Sequence, residues 1–202
     1  WDMNGGACLR EMPTKDCICS LSFTPDGAIL AAGGTFTVQL WDPSEGKSLR
    51  RLDVADSSQV PIAGLVMYLM GCHYTVSALD EKTILTSGPD GIHLWDPATG
   101  KKLRTLSATA YADNIALSQD RRLLATGGSQ EDWGIRIWDL RTGQMILGPT
   151  GHTCCVECLC FNPDTSLLVA GGRGRELLVW QIGPPKPILA IPTDAEALRT
   201  VN

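Results

Sequence analysis

Apolar and polar residues alternate in short runs along the whole chain, and each run ends in glycine, proline or aspartate. Ile135-Arg-Ile-Trp-Asp-Leu-Arg-Thr-Gly143 shows the unit most clearly. Ile135, Ile137 and the bulky Trp138 predict a short strand on a pleated, half-buried surface. The Asp-x-x-x-Gly that follows is turn chemistry, with Gly143 free to take a positive φ. Nearly the same pattern stands at Gly91-Ile-His-Leu-Trp-Asp-Pro-Ala-Thr-Gly100 and at Val38-Gln-Leu-Trp-Asp-Pro-Ser-Glu-Gly46. A worn copy lies at Leu177-Leu-Val-Trp-Gln181, and the chain opens on Trp1-Asp2.

The tryptophans at 1, 41, 95, 138 and 180 are 40, 54, 43 and 42 residues apart. Self-similarity at such a period points to a repeat architecture. A second ladder runs in phase with it. Its rungs are Pro25-Asp-Gly-Ala-Ile-Leu-Ala-Ala-Gly-Gly34, Lys82-Thr-Ile-Leu-Thr-Ser-Gly88, Asp120-Arg-Arg-Leu-Leu-Ala-Thr-Gly-Gly128 and Pro163-Asp-Thr-Ser-Leu-Leu-Val-Ala-Gly-Gly172. With two signals sharing one period over essentially the whole chain, the sequence resembles the WD40 repeat family. That resemblance implies an all-β β-propeller built of four-stranded blades. It speaks to fold and says little of activity, which resides in sites placed on a fold.

On this reading the chain holds about four complete blades with partial ones at both ends. Residues 1–12 end a preceding blade, 13–54 form one blade, and 55–106 a blade with an insertion. Residues 107–149 and 150–193 form two more, and 194–202 start another. The first blade is predicted to run Cys17–Phe23, Ile29–Ala32, Val38–Trp41 and Ser48–Val54. The third runs Asn114–Ser118, Leu123–Thr126, Ile135–Trp138 and Gln144–Leu147. The fourth runs Cys154–Phe161, Leu167–Ala170, Leu177–Trp180 and Ile188–Ile191. In the irregular second repeat the inner strand is either Ile62–Leu69 or Thr75–Leu79. The apolar run Val60 to Met70 is too short to span a bilayer as a helix and favours burial. Rings of this family usually have seven blades, so the ragged ends suggest a fragment of a larger ring whose remaining blades are its first partners.

Hydrophobic residues make up 44% of the chain and charged ones 19%, an ordinary globular balance. A net charge of −5 argues against nucleic acid as the main partner. Eight cysteines change the picture only slightly. Cys155-x-x-Cys158 would make half a zinc site, but no matching second pair exists. Cys17 and Cys19, and Cys154, Cys155, Cys158 and Cys160, fall where the innermost strands lie, with both faces expected to pack between blades, and there cysteine behaves as a small hydrophobe. Secreted disulfide scaffolds are usually much smaller, so the chain reads as a reduced, intracellular protein, cytoplasmic or nuclear.

In the family, a His, a Ser or Thr, an Asp and the Trp often brace a blade. The resemblance maps these onto His73, Ser87, Asp90 and Trp95 in the second repeat. The third keeps Asp132 and Trp138, the fourth keeps His152 but has Gly174 for the Asp, and the first lacks both His and Asp. A Ser, a His and an Asp in one repeat raise a hydrolase reading centred on His73. No Gly-x-Ser-x-Gly elbow accompanies them, so a structural brace is the better account. His93, between Ile92 and Leu94, reads as a packed or surface imidazole. The Gly-Gly pairs lack the Gly-Lys-Ser/Thr of a phosphate loop.

No catalytic residue, metal ligand or cofactor is therefore predicted. The expected role is a non-enzymatic scaffold that binds other proteins or peptides. In a propeller the loops between second and third strands share one rim. Here they carry Thr35 and Phe36, Pro89 and Asp90, Gln130, Glu131 and Trp133, and Arg173 and Arg175, including the Trp and Arg types enriched in binding hot spots. Trp138-Asp-Leu-Arg141 matches a pattern by which some WD40 proteins dock to the adaptor of a cullin–RING ubiquitin ligase, which makes Arg141 a second candidate contact.

Overall fold

A computed structural model describes residues 8–35, 37–54, 74–88, 91–107, 114–128, 134–148, 155–174 and 176–182, together with Gly5, Ala112 and the backbone of 187–192. Every regular element among them is a β-strand. Four antiparallel sheets of four strands follow one another, each a simple meander in chain order. The first holds β1 (Ile18–Phe23), β2 (Leu30–Gly34), β3 (Val38–Asp42) and β4 (Lys47–Leu52). The second holds β5 (Thr75–Asp80), β6 (Thr83–Gly88), β7 (Gly91–Trp95) and β8 (Lys102–Ser107). The third holds β9 (Asn114–Leu117), β10 (Leu123–Gly127), β11 (Ile135–Asp139) and β12 (Gln144–Leu147). The fourth holds β13 (Val156–Phe161), β14 (Leu167–Gly172), β15 (Glu176–Gln181) and β16 (Pro187–Pro192). These are the four-stranded blades that the sequence resemblance implies.

The inner strand of the second repeat is Thr75–Asp80, which decides between the two predicted placements. The alternative, 62–69, lies outside the described residues. Ahead of the first blade, residues 8–12 form no ladder. Met12 instead packs beside Leu30, Ala32 and Trp41 on one face of the first blade.

The chain divides into two compact units, Trp1–Thr109 and Ala110–Asn202. In the first unit the two blades meet through a core that includes Leu40, Leu52, Tyr74, Val76 and Ile84. Hydrogen bonds tie the inner strands. Ser20 Oγ accepts from the Val76 N–H at 3.1 Å, and Ser22 Oγ from the Ala78 N–H at 2.9 Å. The Tyr74 N–H donates to the Gly34 carbonyl at 2.8 Å. A Cβ on Gly33 would collide with the Tyr74 carbonyl, and one on Gly88 with the Tyr74 ring. Glycine at position 33 therefore lets the next blade's backbone come close, and glycine at 88 makes room for the tyrosine ring of its own blade. The second unit repeats this joint. The Val156 N–H donates to the Gly128 carbonyl, and Asn114 Nδ2 to the Val156 carbonyl at 2.9 Å.

Two of the innermost strands, β1 and β13, are not packed on both faces. Cys17, Cys19, Cys158 and Cys160 are exposed and Cys155 half-buried, which corrects the expectation of buried cysteines. Cys154 lies outside the described residues. The physical reason is visible in β1: Ser20 and Ser22 face the second blade, and alternation sends Cys19, Leu21 and Phe23 to the opposite face. Leu21 and Phe23 are 62% and 56% exposed there.

Candidate functional site: the turn rims and the blade braces

The blade interior carries the first polar constellation. Trp95, buried in β7, donates its indole N–H to Thr86 Oγ1 at 2.8 Å. Trp138 in β11 does the same to Thr126 Oγ1 at 3.1 Å. Both threonines sit one turn of the pleat from the residue facing the tryptophan, since Ile84 pairs Trp95 and Leu124 pairs Trp138. The predicted hydroxyl of the second blade, Ser87, is not the one that meets the indole. Strand alternation puts Ser87, itself buried, on the other face of β6. In the first and fourth blades the equivalent positions are Ala32 and Ala170, which offer no hydroxyl. His93 is buried rather than superficial: Nδ1 lies 3.0 Å from Thr105 Oγ1, and the ring stands edge-on to Trp95 at 6.1 Å. Lys102 Nζ lies 5.0 Å over the Trp95 ring, a cation–π contact. His73 and Asp90 lie outside the described residues, as do Asp132 and His152.

The turns that follow the tryptophans are built alike. Asp42 accepts from the Ser44 N–H at 2.8 Å, the Ser44 hydroxyl at 2.6 Å and the Glu45 N–H at 3.0 Å. Asp96 accepts from the Ala98 N–H at 2.8 Å and the Thr99 hydroxyl at 2.6 Å. Asp139 accepts from the Thr142 N–H at 2.8 Å. Gly46, Gly100 and Gly143 close these turns with φ of 69°, 72° and 71°. The hydroxyl of Ser44 holds the Asp42 carboxyl below the usual carboxylate range, and that of Thr99 does so for Asp96. The Thr142 N–H has the same effect on Asp139.

The turns between first and second strands form a second such series. Thr24 and Ser118 donate their hydroxyls to Asp26 and Asp120 at 2.6 Å, lowering both carboxyl pKa values. Bonds from Ser166 lower that of Asp164. In the second unit Gln119, Asp120, Pro163, Asp164 and Thr165 line a shallow, open cleft of about 280 Å³. Its carboxylates are committed to their own turns, and it is too open to enclose a small molecule as a ligand pocket does.

Only part of the predicted partner surface falls within the described residues. Arg173 is exposed and pairs through Nε with Glu157 Oε1 at 2.7 Å. Thr35 is buried, its N–H bonded to the Cys17 carbonyl. Phe36, Asp90, Glu131, Trp133 and Arg175 lie outside them. Arg141 is exposed at the third position of the β11–β12 turn, near enough to contribute to the low pKa of Asp139.

Sequence reasoning missed Asp16. Its Oδ2 accepts from the Thr37 N–H at 3.0 Å and lies 3.2 Å from Thr37 Oγ1, tying the segment before β1 to the β2–β3 loop. The first blade, which lacks the family His and Asp, is braced there by a different carboxylate. A lone Asp ahead of a strand carries no local signal for this, because Thr37 is 21 residues away. Among the described residues no group of three or more His, Cys, Asp or Glu side chains could hold a metal ion.

Comparison with known proteins agrees with this geometry. The family model described as "WD domain, G-beta repeat" matches residues 6–42, 100–139 and 143–181, more than half of the chain. The second and third matches start at an outermost strand, and all three end with a third strand. WD repeat and SOCS box-containing protein 1 of Danio rerio is 27% identical over 194 residues, covering 88% of this chain and 45% of that protein. Autophagy-related protein 16 of Arabidopsis thaliana is 24% identical over 176 residues, 86% of this chain and 32% of that protein. Serine-threonine kinase receptor-associated protein of Gallus gallus is 23% identical over 223 residues, 90% of this chain and 59% of that protein. The chain thus spans less than two thirds of the length of each of these relatives. With the repeats matched in sequence and built as four-stranded blades in the structure, the chain belongs to the WD40 repeat family.

Proposed function

We propose that this chain is part of a non-enzymatic WD40 scaffold that holds proteins together in a multiprotein complex, with further blades completing its ring. The observation that carries this reading is how the polar side chains are used. Turn carboxylates meet their own backbone N–H groups, and indoles meet strand hydroxyls. What remains for partners is loop surface on the rims, the usual place for binding residues on a rigid scaffold. The partner-binding rim comprises Phe36, Asp90, Glu131, Trp133, Arg173 and Arg175. Six free thiols among the described residues fit a reducing, intracellular setting, cytoplasmic or nuclear. No helix among the described residues is long and apolar enough to cross a membrane.

A second reading rests on Arg141. It is exposed at the turn after Trp138-Asp139, the position from which a Trp-Asp-x-Arg motif would contact a cullin–RING ligase adaptor. The test for both is affinity purification of the full-length protein followed by mass spectrometry. Trp133→Ala and Arg175→Ala should weaken recovery of the main partner at unchanged thermal stability, and unaltered recovery removes the rim assignment. Arg141→Ala should abolish recovery of the adaptor; if the wild-type protein recovers no adaptor, the ligase reading fails.

A further inference from the structure

Leu9-Arg10 and Leu49-Arg50 occupy the same place in the repeat, eight and nine residues after Trp1 and Trp41. In the first unit Arg50 leaves β4 of the first blade and reaches the β7–β8 turn of the second. Its Nη2 donates to the Ala98 carbonyl at 2.9 Å. Its Cδ lies where a Cβ on Gly100 would stand. Its charge acts on Asp96 in the same turn. Arg10 repeats the arrangement one blade earlier: its Cγ and Cδ fill the space in front of Gly46, and its charge acts on Asp42.

The two glycines therefore answer two demands. Each has a φ near +70°, which alone favours glycine. Gly27 has the same φ, 71°, yet a Cβ there would meet nothing within 4 Å. At Gly46 and Gly100 the missing Cβ also makes the seat on which the arginine's methylenes lie.

We propose that Arg10 and Arg50 are inter-blade latches. The outer arginine of one repeat seats its stem on the glycine of the next repeat's Trp-Asp turn. At the second turn the aspartate satisfies the N–H groups, and the arginine takes the apical carbonyl with its planar, multi-donor head. The stem lying against the glycine supplies packing in addition to charge. Adjacent blades of the first unit are then fastened in two places: along the inner strands, where Val76, Ala78 and Tyr74 bond Ser20, Ser22 and Gly34, and at the outer edge, where Arg50 bonds Ala98. Two separated fastenings resist hinging of one blade against the next, which one fastening would permit.

The test is a double-mutant cycle in the full chain with Gly27→Ala as reference. Gly27→Ala reports the penalty of a positive φ alone. Gly100→Ala must also displace the arginine and should lower Tm by roughly 2–4 °C more, the shift that about 1 kcal/mol produces in a chain of this size. In an Arg50→Ala background that excess should vanish, leaving Gly100→Ala no worse than Gly27→Ala. Equal losses from Gly100→Ala in both backgrounds would overturn the latch. If Gly100→Ala does not fold, hydrogen exchange of Arg50→Ala decides. The Gly100 amide, bonded to the Asp96 carbonyl at 2.7 Å, should exchange several-fold faster relative to the Gly46 amide, whose latch is intact. An unchanged ratio overturns the proposal.

Discussion

Trp95 donates its indole N–H to the hydroxyl of Thr86 at 2.8 Å, inside a blade where both residues are buried. A buried donor stripped of its acceptor bears a desolvation cost of about 1–3 kcal/mol. Thr86→Val keeps the shape and removes the acceptor, so it should destabilise the first unit by that amount in urea titrations. Trp95→Ala should cost about 3–5 kcal/mol by leaving a cavity. Trp133, outside the repeat register, should cost much less when truncated. Equal losses for Trp95→Ala and Trp133→Ala would contradict the register.

The turn carboxylates should make the stability of the fold depend on acid pH. Asp26, Asp42, Asp96, Asp120, Asp139 and Asp164 all have pKa values lowered by bonds within their turns. A depressed folded-state value contributes stability that is present above the unfolded carboxyl pKa of about 3.9 and lost as pH falls through the folded value. Tm should therefore hold level from neutrality to about pH 5 and fall steeply below about pH 4. Asp96→Asn should make that fall shallower. A chain melting at the same temperature at pH 3 and pH 7 would refute this.

Two turns carry strain that the first blade avoids. Arg121 and Thr165 have φ of 57° and 62°, at the turn position that Gly27 fills in the first blade. A left-handed non-glycine residue costs about 1–2 kcal/mol, and a new glycine returns about 0.4–1 kcal/mol of freedom to the unfolded chain. Thr165→Gly should thus stabilise by up to about 1 kcal/mol, read as a higher urea midpoint at unchanged slope. A lower midpoint would show that the turn holds Thr165 for another reason.

The open face of β1 should drive association. Leu21 and Phe23 hold the register positions of Val76 and Ala78, which are buried against the first blade. Expressed as residues 1–202, the chain should sediment as concentration-dependent oligomers. Leu21→Glu with Phe23→Glu should shift it toward monomer. A monomeric, cooperatively melting wild-type chain would count against an uncovered blade face.

The sequence by itself determined the repeat, the strands and the turn that ends each third strand. Those signals are local: Ile135, Trp138, Asp139 and Gly143 state a strand and its turn within nine residues, and the same statement recurs in phase. Choices that join residues far apart were left to the tertiary structure. An inner strand begins at Thr75 because Tyr74 docks on Gly33 and Gly34, 41 and 40 residues earlier. Thr86 rather than Ser87 meets Trp95 because one step along a strand reverses the face, and only the docked sheet shows which face holds the indole. Cys19, Leu21 and Phe23 look like core in the sequence, yet they are exposed because burial of a blade face requires a neighbour on that side. Asp16 finds Thr37, and Arg50 finds Ala98, by proximity that no local pattern encodes.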